Sequence, residues 1–315
     1  MPLRTFAHTA TTSLALLLAL ATACPAEFPP EGRLTVSAYK VRQGEVLVVG
    51  VRGARGIRHI EGRFLDRLLS FYKTDTGDFE SLAGVDLEDK PGYKEVRVHL
   101  VSPGGQTLVL RKAVEILEGK FSADKLTVPD KMVDFDEETT ARIEDERQRL
   151  EAALARHNPR AFGASFALPV AGQLTSSFGR RRILNGKPRS PHSGADIKAP
   201  IGAVVKATAA GTVVLAEDQY LPGKMVVIDH GLGIFTGYYH LKEIRVQEGQ
   251  EVREGALLGF VGMTGRVTGP HLHWMARIGK ARVNPLSLRR LRISQLSSDE
   301  LASPEPAEAD PASRS

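Results

Sequence analysis

Four histidines and one aspartate in the second half of the chain have the types and spacing that could do chemistry. They are His192 and Asp196 in PHSGAD, His240 in YYHL, and His271 and His273 in GPHLHW. On an extended strand, side chains two or four residues apart face the same side. His271 and His273 can therefore share a face, and so can His192 and Asp196 if that stretch is extended. Two imidazoles and a carboxylate then converge from two strands. Zinc hydrolases use three protein ligands and leave a fourth vertex to water, whose pKa the metal lowers to about 7. A lone His-x-His or His-x-x-x-Asp reads as ordinary strand sequence. Both together, each beside glycines that permit close backbone approach, read as a metal site.

Other chemistry-bearing residues read as structural. His59 and His99 stand alone among strand patterns, and zinc needs three or four converging donors. His230 in IDHG reads as turn chemistry and His157 as an exposed helix end. Trp274 and Tyr238 either flank a cleft or fill the core, the commoner place for aromatics beside ligand strands.

The elements that must position the site are mostly strands, so the fold is expected to be mainly β: an N-terminal β-sandwich, a linker helix and a C-terminal antiparallel β domain that carries the candidate metal site. From 33 to 119, the runs LTVSAYKV, EVLVVGV, EVRVHLV and TLVLRKAVEI alternate with turn residues, and Ser102-Pro103-Gly104-Gly105 makes a hairpin turn. Residues 120 to 136 read as an extended connector within a linker spanning 120–160. Glu137 to Arg156 reads as an amphipathic helix with Ile143, Leu150 and Leu154 on one stripe, ended by Asn158-Pro159 and packed on a neighbouring domain. The runs AVVKA, GTVVLAE, KMVVIDH, IFTGYYH and ALLGFVG place a compact β domain at 161–290. The basic stretch Gly179–Pro191, with an Asn185-Gly186 turn, reads as a loop leading into the first candidate ligand, either shaping a groove or a plain surface insertion. A disordered tail is expected over 291–315, where Ser, Glu, Asp, Ala and Pro replace any apolar period.

Composition bounds the partners. The chain carries 42 Lys+Arg against 37 Asp+Glu, a mild excess with no basic block, so nucleic acid is not an expected partner. Arg180, Arg181 and Arg182 form a tight cluster that is either a solvated loop or an attraction for an anionic polymer. Arg4, the apolar run Leu14–Ala21 and the small residues Ala21-Thr22-Ala23 make residues 1–24 a signal peptide, too short to span a bilayer. An exported protein of the periplasm or cell envelope is expected. Cys24, the single cysteine, excludes an internal disulfide. A lipid anchor through Cys24 and ordinary cleavage that leaves an incidental thiol both stay open.

The segments FGRRRILNGKPRSPHSGADI, GYYHLKEI, GFVGMTGRVTGPHLHWMARI and VNPLSL resemble the lysostaphin-type, or LytM-type, zinc endopeptidases of bacterial cell-wall metabolism, over roughly residues 166–288. The preceding region resembles, more loosely, the β-sandwich found before the catalytic domain in some members. The resemblance implies one zinc ion held by His192, Asp196 and His273, with His240 and His271 as catalytic histidines that are not ligands. It also implies peptidoglycan as substrate. Which histidine takes which step stays open in the sequence, with His271 favoured as base and His240 as stabiliser of the developing oxyanion. A non-catalytic envelope factor that activates other wall hydrolases is the alternative, and a zinc hydrolase of secreted proteins a third reading. An envelope protein partner is left open.

Overall fold

The computed structural model describes residues 32–54, 57–126, 135–156, 158–184 and 187–294. The expected signal peptide with Cys24, His157, the Asn185-Gly186 turn and residues 295–315 lie outside the described residues. The described chain is mainly β, as its alternating runs required.

Nine strands form the first region. They are β1 (Arg33–Val36), β2 (Lys40–Arg42), β3 (Val46–Arg52), β4 (His59–Phe64) and β5 (Arg67–Leu69). After them come β6 (Tyr72–Lys73), β7 (Phe79–Gly84), β8 (Gly92–Val101) and β9 (Thr107–Leu117). One sheet has the order β1-β3-β7-β6 and the other β2-β9-β8-β4-β5. Leu47, Val49 and Val51 meet Val96, Val98 and Leu100 between them. The turn at Ser102 forms as expected, with Gly105 N–H donating to the Ser102 carbonyl at 2.9 Å. His59 is exposed and His99 half-buried on this sandwich.

β3 is apolar almost throughout because both of its faces are covered. Its other face puts Val46 and Val48 against Phe162, Ile278, Ala281 and Val283 of the second region. Arg282 locks this junction, donating from its backbone N and its guanidinium to both oxygens of Asp86 at 2.7–3.1 Å. Residues 291–294, expected to begin a disordered tail, are held here. Ile293 is buried, and Ser294 donates from N and Oγ to Glu80 at 3.1 and 2.8 Å.

Two sequence expectations need revision at the linker. The connector contains a strand, β10 (Ala123–Leu126), and the basic stretch before the first ligand is a hairpin, β12 (Arg181–Leu184) and β13 (Lys187–Arg189), that β10 joins in parallel. Periodicity could not reveal this pairing, because its partners lie far apart in sequence. Helix α1 (Glu137–Ala153) starts at Asp136, whose side chain accepts the Thr139 N–H at 2.7 Å. It stops before Arg156 because Leu154, with Leu150 and Ala153, turns into a cluster with Leu215, Met225, Val227, Phe235 and Met275.

That cluster covers part of one face of the second region's sheet. Its strands begin with β11 (Gln173–Ser176), β14 (Gly194–Lys198), β15 (Val204–Lys206), β16 (Gly211–Gln219) and β17 (Gly223–Asp229). They continue with β18 (Ile234–Ile244), β19 (Glu251–Val252), β20 (Leu257–Val261), β21 (Leu272–Ile278) and β22 (Ala281–Val283), before the short helix α2 (Pro285–Leu288). The main path runs β11-β14-β21-β18-β17-β16-β19 and all its pairings are antiparallel. Tyr238 and Trp274 are fully buried on the opposite face, so both are core residues.

Candidate functional site

Asp196 of β14 and His273 of β21 are directly paired across an antiparallel ladder, and His273 is paired on its other side with Tyr239 of β18. The pleat therefore sets Asp196, His273 and Tyr239 in one row on one face. This is the face that α1 covers elsewhere. Gly194 permits the close approach, since a Cβ there would come within 2.7 Å of His273 Nε2 and 2.4 Å of the Trp274 carbonyl oxygen. His192 joins from the segment just before β14, which is fixed by His192 N–H donating to the Arg180 carbonyl at 2.9 Å.

The three side chains expected as ligands meet. His192 Nε2, Asp196 Oδ1 and His273 Nδ1 form a triangle with edges of 2.8, 2.8 and 2.9 Å. All three residues are buried. His192 Nδ1–H donates to the Ser177 carbonyl at 3.0 Å, which leaves its Nε2 as a bare lone pair aimed at the other two donors. Bringing three such acceptors together without a cation is unfavourable, whereas a tetrahedral ion with bonds of ~2 Å spaces its ligands by about 3.3 Å, close to this triangle. The donor set fits a metal ion. Burial works against the charge of Asp196, yet the imidazoles of His192 and His273 beside it hold it well below the usual carboxylate range. His273 is pushed below the ordinary histidine value, first by burial.

The two further histidines stand beside this triangle. His271 donates from Nδ1 to the Gly269 carbonyl at 2.8 Å, and its Nε2 lies 3.8 Å from Asp196 Oδ1. His240 donates from Nδ1 to the Thr264 carbonyl at 2.9 Å. The rings of His240 and His271 are 4.9 Å apart, and those of His240 and His273 are 6.1 Å apart. His240 has φ 64°, a left-handed conformation that costs a non-glycine residue about 1 kcal/mol or more. A register shift in the pairing of β18 with β17 falls at His240, and another, with β20, follows at Lys242; such bulges re-aim a side chain. Burial first, then the imidazoles of His273 and His271, push His240 down to about 3. Neutral His240 thus presents an acceptor at Nε2.

His230 lies away from the site, fully buried, and donates from Nδ1 to the Ala210 carbonyl at 2.7 Å, a structural role as expected. Sequence reasoning missed Tyr239, whose ring stacks on His273 with centroids 5.2 Å apart and planes 18° apart. An aromatic next to a histidine in a strand carries no spacing signal that would single it out.

Comparison with known proteins agrees with this geometry. Residues 190–285 match the model of Peptidase family M23. Over 116 residues the chain is 40% identical to the peptidoglycan DD-endopeptidase ShyA of Vibrio cholerae, a match covering 36% of this chain and 27% of that one. Over 119 residues it is 41% identical to the DD-carboxypeptidase/endopeptidase Mpg of Neisseria meningitidis, covering 38% of this chain and 27% of that one. The matches therefore span about a quarter of these curated relatives. Among solved structures, a peptidase M23 from Pseudomonas aeruginosa superposes with a TM-score of 0.61 at 30% identity, covering 78% of this chain and 93% of that one. That likeness extends well beyond the residues of the metal triangle, and on it the chain belongs to peptidase family M23.

Proposed function

We propose that this peptidase is an exported zinc metalloendopeptidase that hydrolyses peptide cross-links or stem peptides of bacterial peptidoglycan. The observation that carries the reading is the buried triangle of His192 Nε2, Asp196 Oδ1 and His273 Nδ1, with edges of 2.8–2.9 Å and two further imidazoles beside it. The substrate class is supported by the activities of the relatives from Vibrio cholerae and Neisseria meningitidis. Export is supported by the apolar run and small residues before Cys24, and leaves a lipid anchor at that cysteine open.

His192, Asp196 and His273 would hold one zinc ion. When bound, such an ion polarises a carbonyl and lowers the pKa of water to about 7. The chain's own residues do the rest. The Ser177 carbonyl, accepting from Nδ1–H, orients His192 and so fixes its Nε2 lone pair, while Asp196, kept ionised, supplies the anionic donor of the set. His271 is the proton acceptor: its Nδ1–H is committed to Gly269, so Nε2 is free to take a proton and return it to the leaving amine. His240, buried and neutral, accepts a hydrogen bond at Nε2 and thereby orients the attacking water or the substrate. Holding that acceptor beside His271 lowers the disorder of the reacting groups.

The test uses purified protein with zinc on isolated sacculi. Wild type should release soluble fragments and His273→Ala should not. If both are equally inert while wild type holds zinc, the chain is a binding factor of the envelope instead.

A further inference from the structure

Glu146 sits in the middle of the buried stripe of α1, at 4% exposure, where an apolar side chain would be the ordinary choice. Its hydrogen bonds go to the turn that joins β16 to β17. Oε2 accepts the Tyr220 N–H at 2.7 Å, and the Glu146 backbone carbonyl accepts Gln219 Nε2 at 3.1 Å. Arg142 donates to Oε1 at 2.8 Å. A buried carboxylate is tolerable only with such partners, so turn and helix hold one another in place.

The same turn runs beside His240. The Pro222 carbonyl accepts the His240 N–H at 2.9 Å, and the Leu221 carbonyl accepts the Arg266 N–H at 2.9 Å. Gly223, with φ 64°, lies so close to Thr264 that a Cβ would come within 2.4 Å of the Thr264 carbonyl carbon. Lys224 N–H donates to Thr264 Oγ1 at 3.0 Å, and the Thr264 carbonyl is the acceptor for the His240 ring. Backbone and ring of His240 are thus both tied to groups whose position the turn sets. Its left-handed backbone persists only where surroundings enforce it.

We infer that Glu146 is a positioning residue for His240, acting through the turn at residues 220–223. The inference rests on the proposed place of His240 in the catalytic centre. It assigns the linker helix a part in the reaction beyond covering an apolar sheet face. Reach distinguishes this role from simple ion pairing. Glutamine keeps an oxygen at the right distance for Tyr220 N–H but loses the charge opposite Arg142. Aspartate keeps the charge but is one methylene short of Tyr220.

The experiment compares full-length wild type, Glu146→Gln and Glu146→Asp, each checked for zinc content. Amide hydrogen exchange at Tyr220 and His240 is read first, without substrate. Kinetics follow on a soluble cross-linked muropeptide dimer. Glu146→Asp should lose protection at both amides and lose about tenfold or more in kcat, with KM within about twofold and zinc retained. Glu146→Gln should keep the protection and stay within about threefold of wild-type kcat. Unchanged His240 protection in Glu146→Asp, or equal impairment of the two variants, overturns the inference. If wild type cleaves nothing, the exchange data still decide the positioning role, and the hydrolase reading fails by itself.

Discussion

The ring of Tyr239 lies nearly flat against the imidazole of His273, with planes 18° apart, and the two residues are directly opposed on β18 and β21. Both are buried, so the contact restricts how the imidazole can turn about its bond to the strand. Residues that orient a metal-ligating histidine contribute to metal affinity without touching the ion. Tyr239→Ala should therefore weaken zinc binding by about tenfold or more and cost about 3 kcal/mol of stability from the cavity it leaves. Tyr239→Phe keeps the ring and should bind zinc nearly as wild type does. Competition with a chromophoric chelator reads the affinities, and a Tyr239→Phe protein as weak as Tyr239→Ala would assign the effect to the hydroxyl instead.

Metal removal should be visible in stability itself. The triangle of His192, Asp196 and His273 is assembled by folding, so an ion that binds it stabilises the folded state by mass action. At a thousandfold excess of zinc over its dissociation constant the gain is about 4 kcal/mol. A melting curve with and without chelator should separate by several degrees, and the separation should vanish in Asp196→Ala. Coincident wild-type curves would contradict a preformed site.

The β content, the helix and the pairs His192/Asp196 and His271/His273 were legible in the sequence because each leaves a local mark, whereas His240 was singled out by the family resemblance alone. Strand runs alternate, α1 repeats at helical spacing, and His-x-His and His-x-x-x-Asp place like-facing donors two and four residues apart. What escaped depends on contacts between distant segments. The near-continuous apolar run of β3 gave a strand but not the second partner that buries its outer face. Nothing in the sequence sets Glu146 apart from the other charged residues of α1, since only the turn at Tyr220 explains its burial. The pairing of β10 with β12 turned an apparent connector and loop into a small sheet.

The junction of the two regions should make them melt together. Asp86 is buried and receives three hydrogen bonds from Arg282, and Asn284 N–H donates to the Gly44 carbonyl nearby. Removing Asp86 takes three hydrogen bonds from Arg282, which keeps Glu88 at 3.1 Å, at a cost of about 2 kcal/mol. Asp86→Ala should lower the melting temperature by several degrees if the chain unfolds as a unit. A calorimetric trace that splits in the variant, with the second-region transition unmoved, would show instead that the two regions are thermodynamically independent.

Acid should expose a second structural dependence, at His230. Its ring is fully buried, donates to the Ala210 carbonyl and lies 2.7 Å from Thr236 Oγ1, which donates to its Nε2. Burial pushes it down to about 4, although the bond to Ala210 works the other way. Unfolded, the same imidazole titrates near 6.5. Between these values the unfolded chain binds a proton that the folded chain refuses. Stability is therefore highest above about pH 6.5 and falls as pH drops toward 4, by up to about 3 kcal/mol from this group. The carboxylates of Asp86 and Glu80 are held below their ordinary values, so their contributions are lost at lower pH still. Denaturant unfolding of wild type and His230→Gln across pH 7 to 4 isolates the term. The variant, though less stable at pH 7, should show a shallower loss over this window, and parallel curves would mean that His230 takes up its proton without cost to the fold.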